Sequence, residues 1–112
     1  MDTVFAVERI EEAGVVTFIL RGNIDVHAEA EFRGIPDRAS GAENRFDFSQ
    51  VGRINSMGIA HLLRCFKKIK DTTQAEIVLS GLSTVHTMLF KTTGVFLLAT
   101  HDAGRPEMFR RS

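Results

Sequence analysis

Along the chain, the spacing of apolar residues switches between a period of two and a period near 3.6, and each switch marks a predicted element. In residues 4–10, Phe5, Val7 and Ile10 stand against Val4 and Ala6, which predicts a first strand. Glu11-Glu12-Ala13-Gly14 follows as a turn, so a hairpin is expected. Residues 15–20, Val-Val-Thr-Phe-Ile-Leu, are apolar and rich in β-branched side chains throughout. That is the pattern of a central strand covered on both faces, ending at Arg21-Gly22-Asn23. A helix is predicted from His27 to Arg33 with Asp25 as its N-cap, stopped by Gly34 and Pro36. Residues 36–44 are polar and turn-rich and are expected to be a surface connection. A short strand at residues 46–48 then stops at Ser49-Gln50-Val51-Gly52.

The next period is helical. Ile59, Leu62, Leu63, Phe66 and Ile69 form one face, with Arg64, Lys67, Lys68 and Lys70 mostly between them. This pattern begins directly after Asn55-Ser56, and both residues suit an N-cap. A serine hydroxyl is therefore expected at the mouth of a helix, where unpaired backbone N–H groups favour negative charge. Residues 75–79 predict a buried strand, and Ser83 caps a short helix carrying Val85, Met88, Leu89 and Phe90 that Gly94 ends. Residues 95–99 read as a last strand, and residues 101–112 as a tail without period. The order β, β, α, β, α, β, α, β implies an α/β sandwich. It would have a mixed sheet of about four or five strands and about three or four helices, because alternating elements need crossovers lying on a sheet face.

Composition narrows the class. A chain of 112 residues that is 44% hydrophobic suits one domain spanning residues 1–112. Fourteen Lys and Arg balance fourteen Asp and Glu, so no positive excess points to nucleic acid or an anionic membrane, which leaves a protein or a small molecule as partner. Cys65 is the only cysteine, which suits a reducing compartment. No apolar run approaches the roughly 20 residues of a membrane span, and Met1-Asp2-Thr3 lacks the basic start of a signal peptide. The expectation is a cytoplasmic protein.

Most candidate chemistry fails on spacing. Ile54-Asn-Ser-Met-Gly58 has Ile where a nucleophile elbow needs its first Gly, and no spacing ties His27, His61, His86 or His101 to Ser56. His61 and Cys65 share a helix face, but two ligands do not make a metal site. Neither glycine-rich phosphate-binding motif is present, so no cofactor is expected. Asp25 and Asp47 could be paired carboxylates, yet Asp25 also suits a cap and Asp47 stands between two Phe on a strand. The nine Phe fall largely on faces predicted to be buried and lack interleaved basic residues, which argues against a base-stacking platform. Ser56 retains two readings: a simple N-cap, or an exposed regulatory hydroxyl flanked by Gly52 and Gly58, whose small size would let a partner approach closely.

Residues 47–63, Asp-Phe-Ser-Gln-Val-Gly-Arg-Ile-Asn-Ser-Met-Gly-Ile-Ala-His-Leu-Leu, resemble the DLSxVxxIDSSGLxxLL signature of STAS domains, the sulfate-transporter and anti-sigma-factor-antagonist family. Arg21-Gly-Asn-Ile-Asp25 is similar to that family's GELD segment. Leu79-Ser-Gly-Leu-Ser83, with Leu89-Phe90 and Thr93-Gly94, resembles its GxSxxVxxLFxxTGL stretch. The resemblance spans about residues 14–99. It implies that Ser56, the first serine of DSSG, is phosphorylated by a serine kinase of the histidine-kinase-like ATPase fold. It implies further that the unphosphorylated protein binds this kinase or anti-sigma factor, and that a metal-dependent serine phosphatase resets the cycle. Asn55 stands where the family usually has Asp, which keeps capping ability but loses the carboxylate, and Met57 replaces the second Ser. Arg53, just upstream, is a candidate to pair with the phosphate.

The expected partner surface is Asp25, Arg53, Asn55, Ser56, Met57, Gly58 and His61, with no catalytic residue, no metal and no nucleic-acid or membrane partner. Two other functions fit the same chain: a STAS scaffold or effector of a non-sigma pathway, and a nucleotide or lipid sensor using a pocket near Asp25 and Asp47. A sulfate-transporter tail is disfavoured for want of a membrane segment.

Overall fold

The computed structural model of the chain describes residues 4–102. The expected hairpin forms between β1 (Ala6–Glu12) and β2 (Val15–Ile24), antiparallel, with Glu12 opposite Val15. Its two central residues, Ala13 (φ 52°) and Gly14 (φ 82°), both take positive φ, which a two-residue turn needs if its twist is to match the strands.

The largest departure from the sequence pattern lies in β2 and β3. β2 runs on through Arg21-Gly22-Asn23, and β3 (Glu43–Ile54) extends far beyond residues 46–48. Turn-like composition is overridden because each strand is the other's partner: Arg21 pairs with Gln50, Gly22 with Val51 and Ile24 with Ile54, across two register irregularities.

β4 (Glu76–Ser80) and β5 (Thr100–His101) complete a sheet in the order β1-β2-β3-β4-β5, parallel from β2 onward. Each parallel link needs a crossover. Right-handed crossovers along a sheet that grows in one direction all land on one face. They carry α1 (Glu29–Gly34), α2 (Ser56–Thr73) and α3 (Thr84–Thr93). Phe46 and Phe48, alternate residues of β3, meet Phe66 of α2 and Phe90 of α3 at 4.9 and 5.5 Å between ring centroids. Val16, Phe18 and Leu20 are buried on that face, while Val15, Thr17 and Ile19 on the other are half-buried. β2 is therefore covered on one face, not both.

Three local expectations are also corrected. The helix expected at residues 27–33 is a 3-10 turn, Val26–Ala28, followed by α1. The connection at residues 36–44 contains a second 3-10 turn, Pro36–Arg38, and its last residue, Asn44, is fully buried. Asn44 clamps Ser40 in both directions, accepting from its N–H at 2.7 Å and donating to its carbonyl at 3.1 Å. Residues 95–99 are not a strand: Gly94 (φ 86°) ends α3, and Val95–Leu97 curl into a 3-10 turn that buries Val95. The strand after that turn is Thr100–His101, which pairs with β4. Five strands and three helices are present among the described residues, and none of those helices is long and apolar enough to cross a membrane. Of the expected tail, residues 103–112 lie outside the described part.

Candidate functional site

Parallel strands finish at the same end of a sheet, so the chain leaves β2, β3 and β4 side by side. Each exit is closed by a polar side chain. Asp25 Oδ1 accepts from His27 N at 2.9 Å, Asn55 Oδ1 from Gly58 N at 2.9 Å, and Ser83 Oγ from His86 N at 3.0 Å. These are the N-cap bonds that satisfy otherwise orphaned donors.

Asn55 is thus the cap of α2, and Ser56 is its first helical residue. Ser56 is exposed, with Met57 beside it 44% exposed and Val26 49% exposed on the turn after β2. The hydroxyl of Ser56 has no capping duty, which removes the simple-cap reading left open by residue type. It sits at the positive end of an 18-residue helix.

The two neighbouring glycines serve a different purpose from the one their size suggested. Gly58 is buried, and a Cβ there would land on the carbonyl oxygen of Ile24 and 2.8 Å from its carbonyl carbon. The same carbonyl accepts from Asn55 N at 3.2 Å, so the first turn of α2 is seated directly on the end of β2. A Cβ on Gly52 would come within 2.5 Å of Asn23 Oδ1. In both cases the missing side chain admits a neighbour within the fold rather than a partner.

Arg53 is exposed, and its backbone N–H donates to Asn23 Oδ1 at 2.9 Å. On the other side, His86 Nε2 contacts the Gly52 carbonyl at 2.8 Å, which requires the tautomer with its hydrogen on Nε2. The ring lies 6.4 Å from both Phe48 and Phe90. Asn23 and His86 thus hold the two residues leading toward the Asn55 cap, a role sequence spacing did not assign to either. Asn23 lies within the Arg21–Asp25 motif, while His86 carries no local signal, since its partner is 34 positions away.

The remaining candidates separate. Asp47 Oδ1 accepts from Ser49 N at 2.9 Å, and Asp25 caps its turn, so each carboxylate has its own local task. His61 and Cys65 do share a face of α2, but each is only 2% exposed, and Phe32 of α1 stacks on the His61 ring at 6.2 Å. Burial pushes the Cys65 thiol up to about 12, well away from the thiolate a metal requires. No group of three or more His, Cys, Asp or Glu is placed to hold a metal among the described residues. His61 and Gly58 thus offer a partner no surface, in contrast to Arg53, Asn55, Ser56 and Met57.

Comparison with known proteins agrees with this architecture. A STAS domain family model matches residues 6–103. No curated protein sequence matches the chain. A sulfate transporter family protein from Wolinella succinogenes superposes with a TM-score of 0.70 at 16% identity, covering 85% of this chain and 82% of that one. The anti-sigma factor antagonist SpoIIAA in its unphosphorylated form gives 0.64 at 20% identity, over 94% of each chain. The phosphorylated form of SpoIIAA, a Bacillus cell fate determinant, gives 0.61 at 15% identity, over 95% of this chain and 97% of that one. With the model match running from β1 past β5, the chain belongs to the STAS domain family.

Proposed function

We propose that this STAS domain is a phospho-regulated partner switch of the anti-sigma-factor-antagonist kind, with Ser56 as the phosphoacceptor. The observation that carries the reading is the division of labour at the start of α2: Asn55 makes the cap bond, and the exposed serine one residue on is left for chemistry. The unphosphorylated form binds a kinase or anti-sigma factor of the histidine-kinase-like ATPase fold through Ser56, Met57, Asn55, Arg53 and the Asp25–Val26 turn. A metal-dependent serine phosphatase returns the modified form to this state.

Phosphorylation adds about −1.5 to −2 charges at a helix N-terminus, where the dipole favours them, so the fold tolerates the change. The interface does not. A partner packed on Ser56 and half-exposed Met57 must desolvate the phosphate or withdraw, and a loss of about 3 kcal/mol weakens binding more than a hundredfold. The likeness to SpoIIAA structures in both phosphorylation states supports this reading. A second reading, a STAS scaffold that docks its target without modification, would use the same exposed residues at the start of α2.

The test is incubation with ATP and ATPase-fold kinases encoded beside the gene, followed by mass spectrometry, alongside partner binding by calorimetry. Label on Ser56 is expected, with Ser56→Ala binding as the parent does and Ser56→Asp binding more than about a hundredfold more weakly. Binding without any label, and equal affinity for both variants, would leave the scaffold reading in its place.

A further inference from the structure

A half-open cleft of about 440 Å³ runs between α1 and the middle of α2, apart from the Ser56 surface. That volume falls within the range of small-molecule sites, which are apolar bodies with a few placed polar groups. Its apolar lining comes from Phe32, Pro36 and Cys65, and burial keeps the Cys65 thiol protonated and uncharged. Its charged lining is unbalanced. Arg33, Arg64 and Lys68 face Glu29 and Asp37, three cations against two carboxylates, which leaves an excess of one positive charge. The Glu29–Arg33 ion pair at 2.7 Å closes on itself and holds the Glu29 carboxyl below its ordinary range. Arg64 also acts on Glu29, more weakly than Arg33 does, and Arg64 and Lys68, one turn apart on α2, both remain exposed on the rim of the cleft.

His61 supplies an independent observation. Arg64 Nη2 donates to His61 Nδ1 at 2.9 Å, which places the ring hydrogen on Nε2. That Nε2–H is buried and has no acceptor among the described residues, on a side chain 2% exposed that lines the cleft. Buried donors without partners are rare enough to call for an explanation, and an acceptor entering the cleft beside the ring would supply the partner.

We propose that this cleft binds a small amphipathic monoanion, its apolar body against Phe32, Pro36 and Cys65 and its carboxylate held by Arg64 and Lys68 and accepting from His61 Nε2–H. The proposal does not depend on the role of Ser56. The test is a titration of the isotopically labelled full chain, followed by amide chemical shifts, with benzoate and octanoate as probes. Benzyl alcohol serves as the neutral counterpart and inorganic phosphate as an anion without an apolar body. Saturable shifts are expected in residues 29–37 and 61–68 with at least one carboxylate, at least about tenfold weaker with benzyl alcohol and with phosphate. Replacing both exposed cations, Arg64→Gln with Lys68→Gln, is expected to weaken carboxylate binding at least about tenfold while leaving distant signals in place. No saturable shift with either carboxylate, equal binding of benzyl alcohol or of phosphate, or unchanged affinity in the double variant would each overturn the proposal.

Discussion

Two serines stand at helix starts on the same end of the sheet, and their surroundings differ by one position. Ser83 is itself the N-cap of α3, with its oxygen engaged by His86 N. Ser56 follows the N-cap of α2, and the matching bond is made by Asn55 to Gly58 N. Both caps reach the residue three positions on, so the helix starts are built alike, yet one hydroxyl is part of the fold and the other is not. Displacing a serine by one residue relative to its cap is enough to turn a structural group into an available one.

The sharpest way to break this comparison is at the residues the two caps reach. Gly58→Ala drives a Cβ into the Ile24 carbonyl, a backbone atom that cannot swing away, and is expected to cost about 3 kcal/mol or more. Thermal unfolding would then fall by more than about 12 °C, and a variant melting within a few degrees of the parent would show that α2 is not seated as described. His86→Phe preserves the packing on Phe48 and Phe90 but removes the donor to the Gly52 carbonyl. A loss of about 1.5 kcal/mol is expected, together with amide shifts at Arg53 to Met57, and silence at those signals would mean that α3 does not support the mouth of α2.

Removing the caps should affect the two helices equally. Asn55→Ala and Ser83→Ala are each expected to lower stability by about 1 kcal/mol in urea unfolding. The smallest effect belongs to Ser56→Ala, expected within about 0.5 kcal/mol of the parent. Were it to match Ser83→Ala, Ser56 would have a structural task and the contrast between the serines would collapse.

The sequence pattern foretold the order of elements and the starts of α2 and α3, because capping residues and helical periodicity are local signals. It missed what depends on distant partners. Residues 49–52 look like a turn in isolation, and β3 extends through them only because β2 lies alongside. Residues 95–99 look like a strand but have a helix-ending glycine just before them, and the apolar run packs as a tight turn instead. Asn44 looked like loop and is buried, because its two bonds to Ser40 form only once the connection closes. At the site, residue type placed Asn55 and Ser56 at the start of α2 but could not decide which of them caps it, which depends on backbone geometry. Gly58 read as room for a partner, since nothing local revealed the Ile24 carbonyl beneath it.

The sheet whose strand order follows chain order also has a kinetic meaning. Every strand from β2 onward pairs with the one before it, so each pairing closes a single connection, first the β1–β2 turn and then one crossover at a time. The hairpin of β1 and β2 offers the first template, and β3, β4 and β5 add to it in turn. Loop-closure entropy is met in small successive steps, and the domain can grow from its N-terminal end as the chain is synthesised.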